Sequence, residues 1–354
     1  MSTGALGYAG VGIELASDGT SGSQSGSATI VNYIPIVSEN LIITRQDLDS
    51  QNIQALWDTE RVYNGLQSVA GTIVTQAHPL ASGLFLRSAF DVNTSQPGAG
   101  FGAPTYATSH ANVRSHRFTT KQTQFQAGSG SDLPTLTFEI NRGPAMGVGS
   151  SFVYYNCAGN VMEFQIQAGQ LARFSFDFIG RDYGGIPKTT PSFPAIDAFL
   201  WSQCSLSIGG NASTLFEQIT VRLDNGLVAV PKLDGRLRPD LIKRNNFRQI
   251  QVNGQLQFQT YSEYDRFLGG SETPMKLVFR SGGLPSTAGN SNYNTLVLDI
   301  PSMRYTAFPL NIAGPGQIGI NFTGRGMYNQ LSGTALDVTV VNTRVPSYEQ
   351  NSTG

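Results

Sequence analysis

Charge is what this chain has least of. Only 13% of its 354 residues are Asp, Glu, Lys or Arg, against roughly 25% in an ordinary soluble protein, and the formal net charge is −1. A free monomer normally stays soluble through surface charge. A chain this uncharged and rich in Ser, Thr, Asn, Gln and Gly therefore reads as a subunit of an assembly, with a secreted β-protein as the other reading. Cysteine is scarce too. Cys157 and Cys204 are too few for a disulfide framework and sit in apolar, strand-like surroundings, so two reduced, buried thiols are expected. No stretch approaches the roughly 20 apolar residues that span a bilayer, and MSTGALGYAG lacks a basic n-region and an apolar h-region. Neither membrane insertion nor Sec export is expected.

Histidine is nearly missing as well, which leaves little for a catalytic triad or a metal site. His110 and His116 have neither one-turn helical spacing nor cysteine partners, so they are expected in a solvated loop, while His78 is expected to begin a helix. No metal and no cofactor are expected. The Gly-rich strings at 7–12 and 98–102 neither follow a strong strand nor open a helix, and no Gly-Lys-Ser/Thr occurs, so both read as flexible. Carboxylates such as Glu163 and Asp177 are scattered rather than paired, and an enzyme is not expected. Arg236, Arg238, Lys243, Arg244 and Arg248 form a modest basic cluster, interrupted by Asp234 and Asp240. It reads as a polar loop making subunit contacts rather than a phosphate-binding patch.

Repetition is what the chain does contain. AGQLARFSFDFIGRDY at 168–183 and AGPGQIGINFTGRGMY at 313–328 both alternate apolar and polar residues and then reach Phe-x-Gly-Arg with a nearby Tyr. Val69-x-Gly71 and Val252-x-Gly254 form a second pair, each followed by helical spacing, and SENLIITRQDL at 38–48 resembles FEQITVRLDNGL at 216–227. The anchors keep one order, which implies tandem duplication of a β-domain. The expected domains are 1–190, with an N-terminal arm and an inserted loop at 91–132, and 191–354, with a short C-terminal tail.

Residues 4–28 lack periodicity and read as an arm or loop. Strands are expected at 32–48, 67–76, 135–140, 152–157, 161–167 and 173–179, with turns at Gly143, Gly159 and Gly169. Segments 78–90 and around 264–268 are expected to lay one short helix per copy against a sheet. The boundary falls in the Gly/Pro-rich stretch 183–193. Second-copy strands are expected at 204–208, 219–223, 250–259, 275–279, 295–298, 303–306, 317–322 and 335–341. The fold class is mainly β: two tandem β-sandwich or partial-barrel domains, each flanked by a short α-helix.

The series SENLIITRQDL, LQSVAGTIVTQ before a helix, TLTFEINRG and YYNCAGNVMEFQIQAGQLARFSFDFIGRDY resembles the major tail tube proteins of long, non-contractile-tailed (siphovirus-type) bacteriophages. So does the second series, LDNGL, IQVNGQLQF, YDRFLGG, MKLVFRSG and AGPGQIGINFTGRGMY. The resemblance runs from about residue 35 to 341. It implies a structural virion protein whose inner sheets join those of neighbours into stacked rings, forming the conduit for genome delivery. Two domains per chain would then make rings of three chains with six quasi-equivalent domains. Implied partners are the tape measure, tail terminator and distal tail proteins, with viral DNA passing through unbound and assembly in the host cytoplasm. The other reading is a carbohydrate- or receptor-binding module of the tail tip, with a hydrolase far behind; Trp57 and Trp201 lie in mixed apolar segments with no aromatic cluster around them.

Within that resemblance, alternation names candidate lumen residues. In 250–259, Val252, Leu256 and Phe258 oppose Gln251, Asn253, Gln255, Gln257 and Gln259. In the first copy Met162, Phe164 and Ile166 oppose Glu163, Gln165 and Gln167, and Phe174, Phe176 and Phe178 oppose Arg173, Ser175 and Asp177. A channel of amides and carboxylates with few Lys or Arg would avoid holding phosphates. The length and low charge of 91–132 make Gln96, Phe101, Tyr106, His110, Arg114, His116 and Phe118 the candidates for contacts with an adjacent ring or chain.

Overall fold

Alternating apolar and polar residues keep most of this chain extended, and the protein, seen in a computed structural model, is mainly antiparallel β, with two short α-helices among the described residues. The structure describes residues 7–14, 30–50, 58, 61–90, 92–97, 113–120, 133–143, 150–194, 197–284, 292–310 and 319–344. The first half runs β1 (Tyr8–Ile13), β2 (Asn32–Ile34), β3 (Ser38–Glu39), β4 (Ile42–Asp49), β5 (Val62–Gln76), α1 (Ser82–Ala89), β6 (Val92–Pro97), β7 (Arg114–Thr119), β8 (Leu136–Asn141), β9 (Ser150–Gln167), β10 (Arg173–Gly180) and β11 (Asp182–Pro187). The second runs β12 (Cys204–Ile208), β13 (Asn211–Ser213), β14 (Phe216–Asp224), β15 (Leu227–Val230), β16 (Leu241–Arg244), β17 (Gln249–Gln257), α2 (Ser262–Gly269), β18 (Thr273–Leu284), β19 (Asn292–Ala307), β20 (Gly319–Gly326) and β21 (Asp337–Asn342).

One continuous antiparallel sheet has the order β4, β5, β10, β9, β14, β17, β20, β19. Two of its members are long strands that change layer. The first part of β9 leaves to pair with β8 and β11, and the first part of β19 leaves to pair with β18 and β21. Beyond β8 come β1 and β2; beyond β18 come β12 and β13. The two halves thus make matching pairings, and β9 against β14 is the seam between them.

The repeated strings have a common physical cause. Phe178 stands opposite Gly71 and Gly180 opposite Val69, while Phe322 stands opposite Gly254 and Gly324 opposite Val252. A Cβ on Gly254 would lie 2.4 Å from the Gln218 carbonyl oxygen and 2.8 Å from the Phe322 ring; one on Gly71 would lie 2.5 Å from the Asn40 carbonyl oxygen. Backbone on one side and a ring or strand on the other leave no room to yield. Gly254→Ala is therefore expected to cost about 1–3 kcal/mol, read as a lowered urea midpoint at unchanged slope. An unchanged midpoint would contradict the packing.

The apolar faces of both layers meet around the helices. Phe85 of α1 sits 5.2 Å from Phe176 and 5.6 Å from Phe178, and Phe138 lies 4.6 Å from Phe178, all between ring centroids. In the second half Tyr264 and Phe267 of α2 pack on Phe308, and the Tyr305 hydroxyl donates to Glu263 Oε2 at 2.7 Å. Each fully buried side chain of this kind contributes about 1.5–3 kcal/mol. Strand β9 bends at Asn156, a non-glycine residue at φ +52°. Glu14, only 8% exposed, holds that bend: Oε1 accepts from the Asn156 backbone N–H at 2.8 Å and Thr137 Oγ1 at 2.5 Å, and Oε2 from Asn156 Nδ2 at 2.7 Å and Thr135 Oγ1 at 2.5 Å.

Several sequence expectations need correction. Tyr8–Ile13, placed in a featureless arm, is a fully buried strand; burial on both faces removes the alternation that marks a strand in sequence. Gly159 is not a turn. β9 runs straight through it, because Ser88 and Ala89 of α1 close on a position that has no side chain. The segments 295–298 and 303–306 are likewise one strand. The Gly/Pro-rich boundary carries β11; the 91–132 insertion, read as a long loop or a hairpin, does contain the antiparallel pair β6–β7, which adds to β21 of the second half. His78 lies ahead of the helix, accepting the Ser82 N–H at its carbonyl at 3.1 Å. Cys157 is buried and Cys204 half-buried, both as free thiols; burial pushes Cys204 up to about 12 and Cys157 well above its ordinary value.

Candidate functional site

Directly opposed residues of antiparallel strands share a face. One transverse row across the continuous sheet reads Thr323, Asn253, Thr220, Gln165, Arg173, Gln76; the next reads Arg325, Gln251, Arg222, Glu163, Ser175, Val74. A third holds Asn321, Gln255, Gln218 and Gln167, and Asp177 lies beside Thr72 and Val161. Gln257 follows on β17, opposite Gly319. The structure therefore brings Gln251, Asn253, Gln255, Gln257, Glu163, Gln165, Gln167, Arg173, Ser175 and Asp177 onto one polar face, away from the core. Gln259 lies past the end of β17, its Nε2 3.5 Å from Gln257 Oε1.

That face is less purely amide than expected. It also carries Arg222, Asp224 and Arg325, which the sequence reading missed although the alternation of Ile219, Val221 and Leu223 marks the parity of β14. On the six inner strands Arg173, Arg222 and Arg325 stand against Glu163, Asp177, Glu217 and Asp224, and Glu217 Oε1 accepts from Gln257 Nε2 at 2.6 Å. Arg222 Nη1 lies 3.5 Å from Glu163 Oε2 and Nη2 3.8 Å from Asp224 Oδ2, and Thr72 Oγ1 donates to Asp177 Oδ1 at 2.6 Å. These charges partly cancel one another in place.

Among the described residues the sheet ends in two open edges. Among the described residues β4 pairs with β5 and with nothing on its outer side; Ile42 is 52% exposed, and every residue of β4 except the half-buried Ile43 is exposed. Its counterpart β14 has β9 paired along the corresponding edge. At the other end, β19 beyond Met303 pairs with β20 alone among the described residues.

The two ends of the strands differ. Past the end of β14, the hairpin β15–β16 lies across β5 and β10: the Leu237 carbonyl accepts the Gln67 N–H at 2.6 Å, the Pro239 carbonyl accepts Arg181 Nε at 3.3 Å, and Arg238 pairs with Asp182. The basic cluster sits here, partly neutralised by the Lys232–Asp240 and Arg181–Asp240 pairs. Leu233 at the hairpin tip is fully exposed. At the start of β14 lies a mainly apolar cleft of about 390 Å³ lined by Ile166, Trp201, Leu206, Ala212, Phe216 and Ile219.

The candidates for contacts within 91–132 divide. Phe101, Tyr106 and His110 lie outside the described residues, as does Trp57, and Gln96 is placed by its backbone in β6 opposite Ser115. Arg114 is half-buried opposite Asn342. His116 and Phe118 are 0% exposed, which corrects both the solvated loop for His116 and the outward contact for the pair: β21 covers them within the chain. Burial lowers His116 from 6.5 to about 4, against a hydrogen bond with Asn342. With the folded value depressed, the unfolded chain binds the extra proton, so stability is complete above about 6.5 and falls by roughly 3 kcal/mol toward pH 4. His116→Phe is expected to flatten that limb of the stability profile; an unchanged profile would contradict it.

Among the described residues no group of three His, Cys, Asp or Glu could hold a metal, and no helix is long and apolar enough to cross a membrane. No curated protein matches the chain. A family model described as phage tail tube protein matches residues 4–326, nearly the whole length. The chain belongs to the phage tail tube protein family, and so is a structural protein of the virion rather than a member of an enzyme family.

Proposed function

We propose that three chains close into a ring, that rings stack into the tail tube of a siphovirus-type phage, and that the polar sheet face lines the lumen through which the genome leaves. The chain is then two tube domains related by duplication, one on each side of the β9·β14 seam. That seam carries the proposal. It joins two matched four-stranded units edge to edge within one chain, and it leaves β4 and β19 as the equivalent edges without a partner among the described residues. Repeating the seam between chains pairs the β19 edge of one with the β4 edge of the next. Open edges are association hazards in a monomer, and a closed ring removes them. Two units per chain give the six-unit ring when three chains close.

A lumen of amides in which Arg222 is paired with Glu163 and Asp224, and acids outnumber bases on the inner strands, offers passing phosphates little to hold. Gln251, Gln255 and Gln257 replaced together by Lys are expected to leave tubes intact at moderate salt but to slow genome ejection, with partial rescue as salt rises. Unchanged ejection at low salt would place these residues outside. The tape measure, terminator and distal tail proteins are the partners this role requires, and assembly takes place in the host cytoplasm. Negative-stain microscopy of purified protein after concentration tests the reading. Hollow stacked tubes are expected; a persistent monomer without tubes would contradict it.

A further inference from the structure

We propose that rings stack through a knob and a cleft at opposite ends of the same strands: the Leu233 tip of the β15–β16 hairpin seats in the Trp201 cleft of a chain in the next ring. The inference rests on the ring reading and names its axial contact. β14 fixes the geometry. Its first residues, Phe216 and Ile219, line the cleft, and its last, Asp224, leads into the hairpin, so knob and cleft are separated by the length of one strand. A contact between two different patches cannot close a pair; it propagates, as tube growth requires.

Chemistry matches the two ends. Leu233 is fully exposed on a turn whose Gly235 has φ +77°. The cleft is mainly apolar, with Trp201 half-exposed at its wall, and about 390 Å³ admits a leucine side chain and its neighbours. Charge agrees as well. Segment 225–248 carries Lys232, Arg236, Arg238, Lys243, Arg244 and Arg248 against Asp234 and Asp240, whereas 197–218 carries Asp197 and Glu217 with no base. Segment 258–272 adds Asp265 and Glu272, while its Glu263 is buried and paired with Arg266. Internal pairs, Arg236 with Asp234 among them, take up part of the hairpin's charge, and Lys243 is exposed. Complementary ends favour head-to-tail approach and disfavour head-to-head, an effect that salt weakens.

The test uses the full chain. Leu233→Asp removes the knob and adds a charge where no packing depends on it, so three-chain rings of normal mass are expected while the concentration needed for tube growth rises at least tenfold. Tubes growing at the wild-type concentration would overturn the proposal. A second variant, Leu233→Cys with Ala212→Cys on the cleft wall, is treated with a short bismaleimide. Covalent ladders joining rings are expected from assembled tubes and not from isolated rings. Crosslinks within isolated rings, or none in tubes that form normally, would mean that another segment fills the cleft. If the wild-type chain formed no three-chain ring, the ring reading would fail and take this one with it; rings that stack normally with Leu233→Asp would remove this one alone.

Discussion

Ile43→Pro is expected to give a folded chain that no longer closes a ring. The Asn40 N–H donates to the Thr72 carbonyl at 3.0 Å, so by strand parity the backbone groups of residues 42 and 44 point toward β5 and those of 43 point to the open edge. Proline there removes an outward donor and places its ring against an incoming strand, without breaking the β4–β5 ladder. The local cost is about 1–2 kcal/mol for the smaller, partly buried side chain. Ring assembly should fall by far more, because each ring loses a donor at all of its inter-chain seams. Circular dichroism and size exclusion with light scattering separate the two effects: a β-rich monomer is the expected product. Rings from a folded Ile43→Pro chain would rule out β4 as the joining edge.

Glu14→Ala is expected to be the most damaging single change to the fold itself, at about 3–5 kcal/mol. The carboxylate is buried and accepts from Thr135, Thr137 and both the main-chain and side-chain nitrogens of Asn156. Removing it strands those donors in the core and releases a strained αL residue at the point where β9 passes from one layer to the other. The polar face downstream of the bend loses its fixed orientation with it. Glu14→Gln, which keeps an acceptor, should recover part of the loss. Urea midpoints measure both, and a Glu14→Ala chain as stable as wild type would show that the bend needs no such anchor.

Where one face of a strand meets the core and the other does not, the sequence was readable. Phe174, Phe176 and Phe178 against Arg173, Ser175 and Asp177 placed β10 and its polar face together, and Val252 and Leu256 did the same for β17. Tyr8–Ile13 was not readable, because all six residues are buried and alternation vanishes. Gly159 misled for a related reason: a glycine demanded by a helix packing on a strand looks, in sequence, like one demanded by a turn. His116 and Phe118 show a third limit. Their environment is made by Val338 and Val340, more than two hundred residues away, and no local pattern reports that pairing. Arg222 illustrates the reverse case, since its parity was present in the alternation around it, while its ion pairs with Glu163 across the seam depend on which strand β14 meets.

The mass of one isolated ring bears most directly on the account. Native mass spectrometry of rings released from tubes at low protein concentration should give three times the 38.0 kDa chain mass if, as proposed, each chain supplies two joined four-stranded units and closes with two others. A ring of six chains would mean that the β9·β14 seam is not the template for closure and that each chain occupies a single position around the axis.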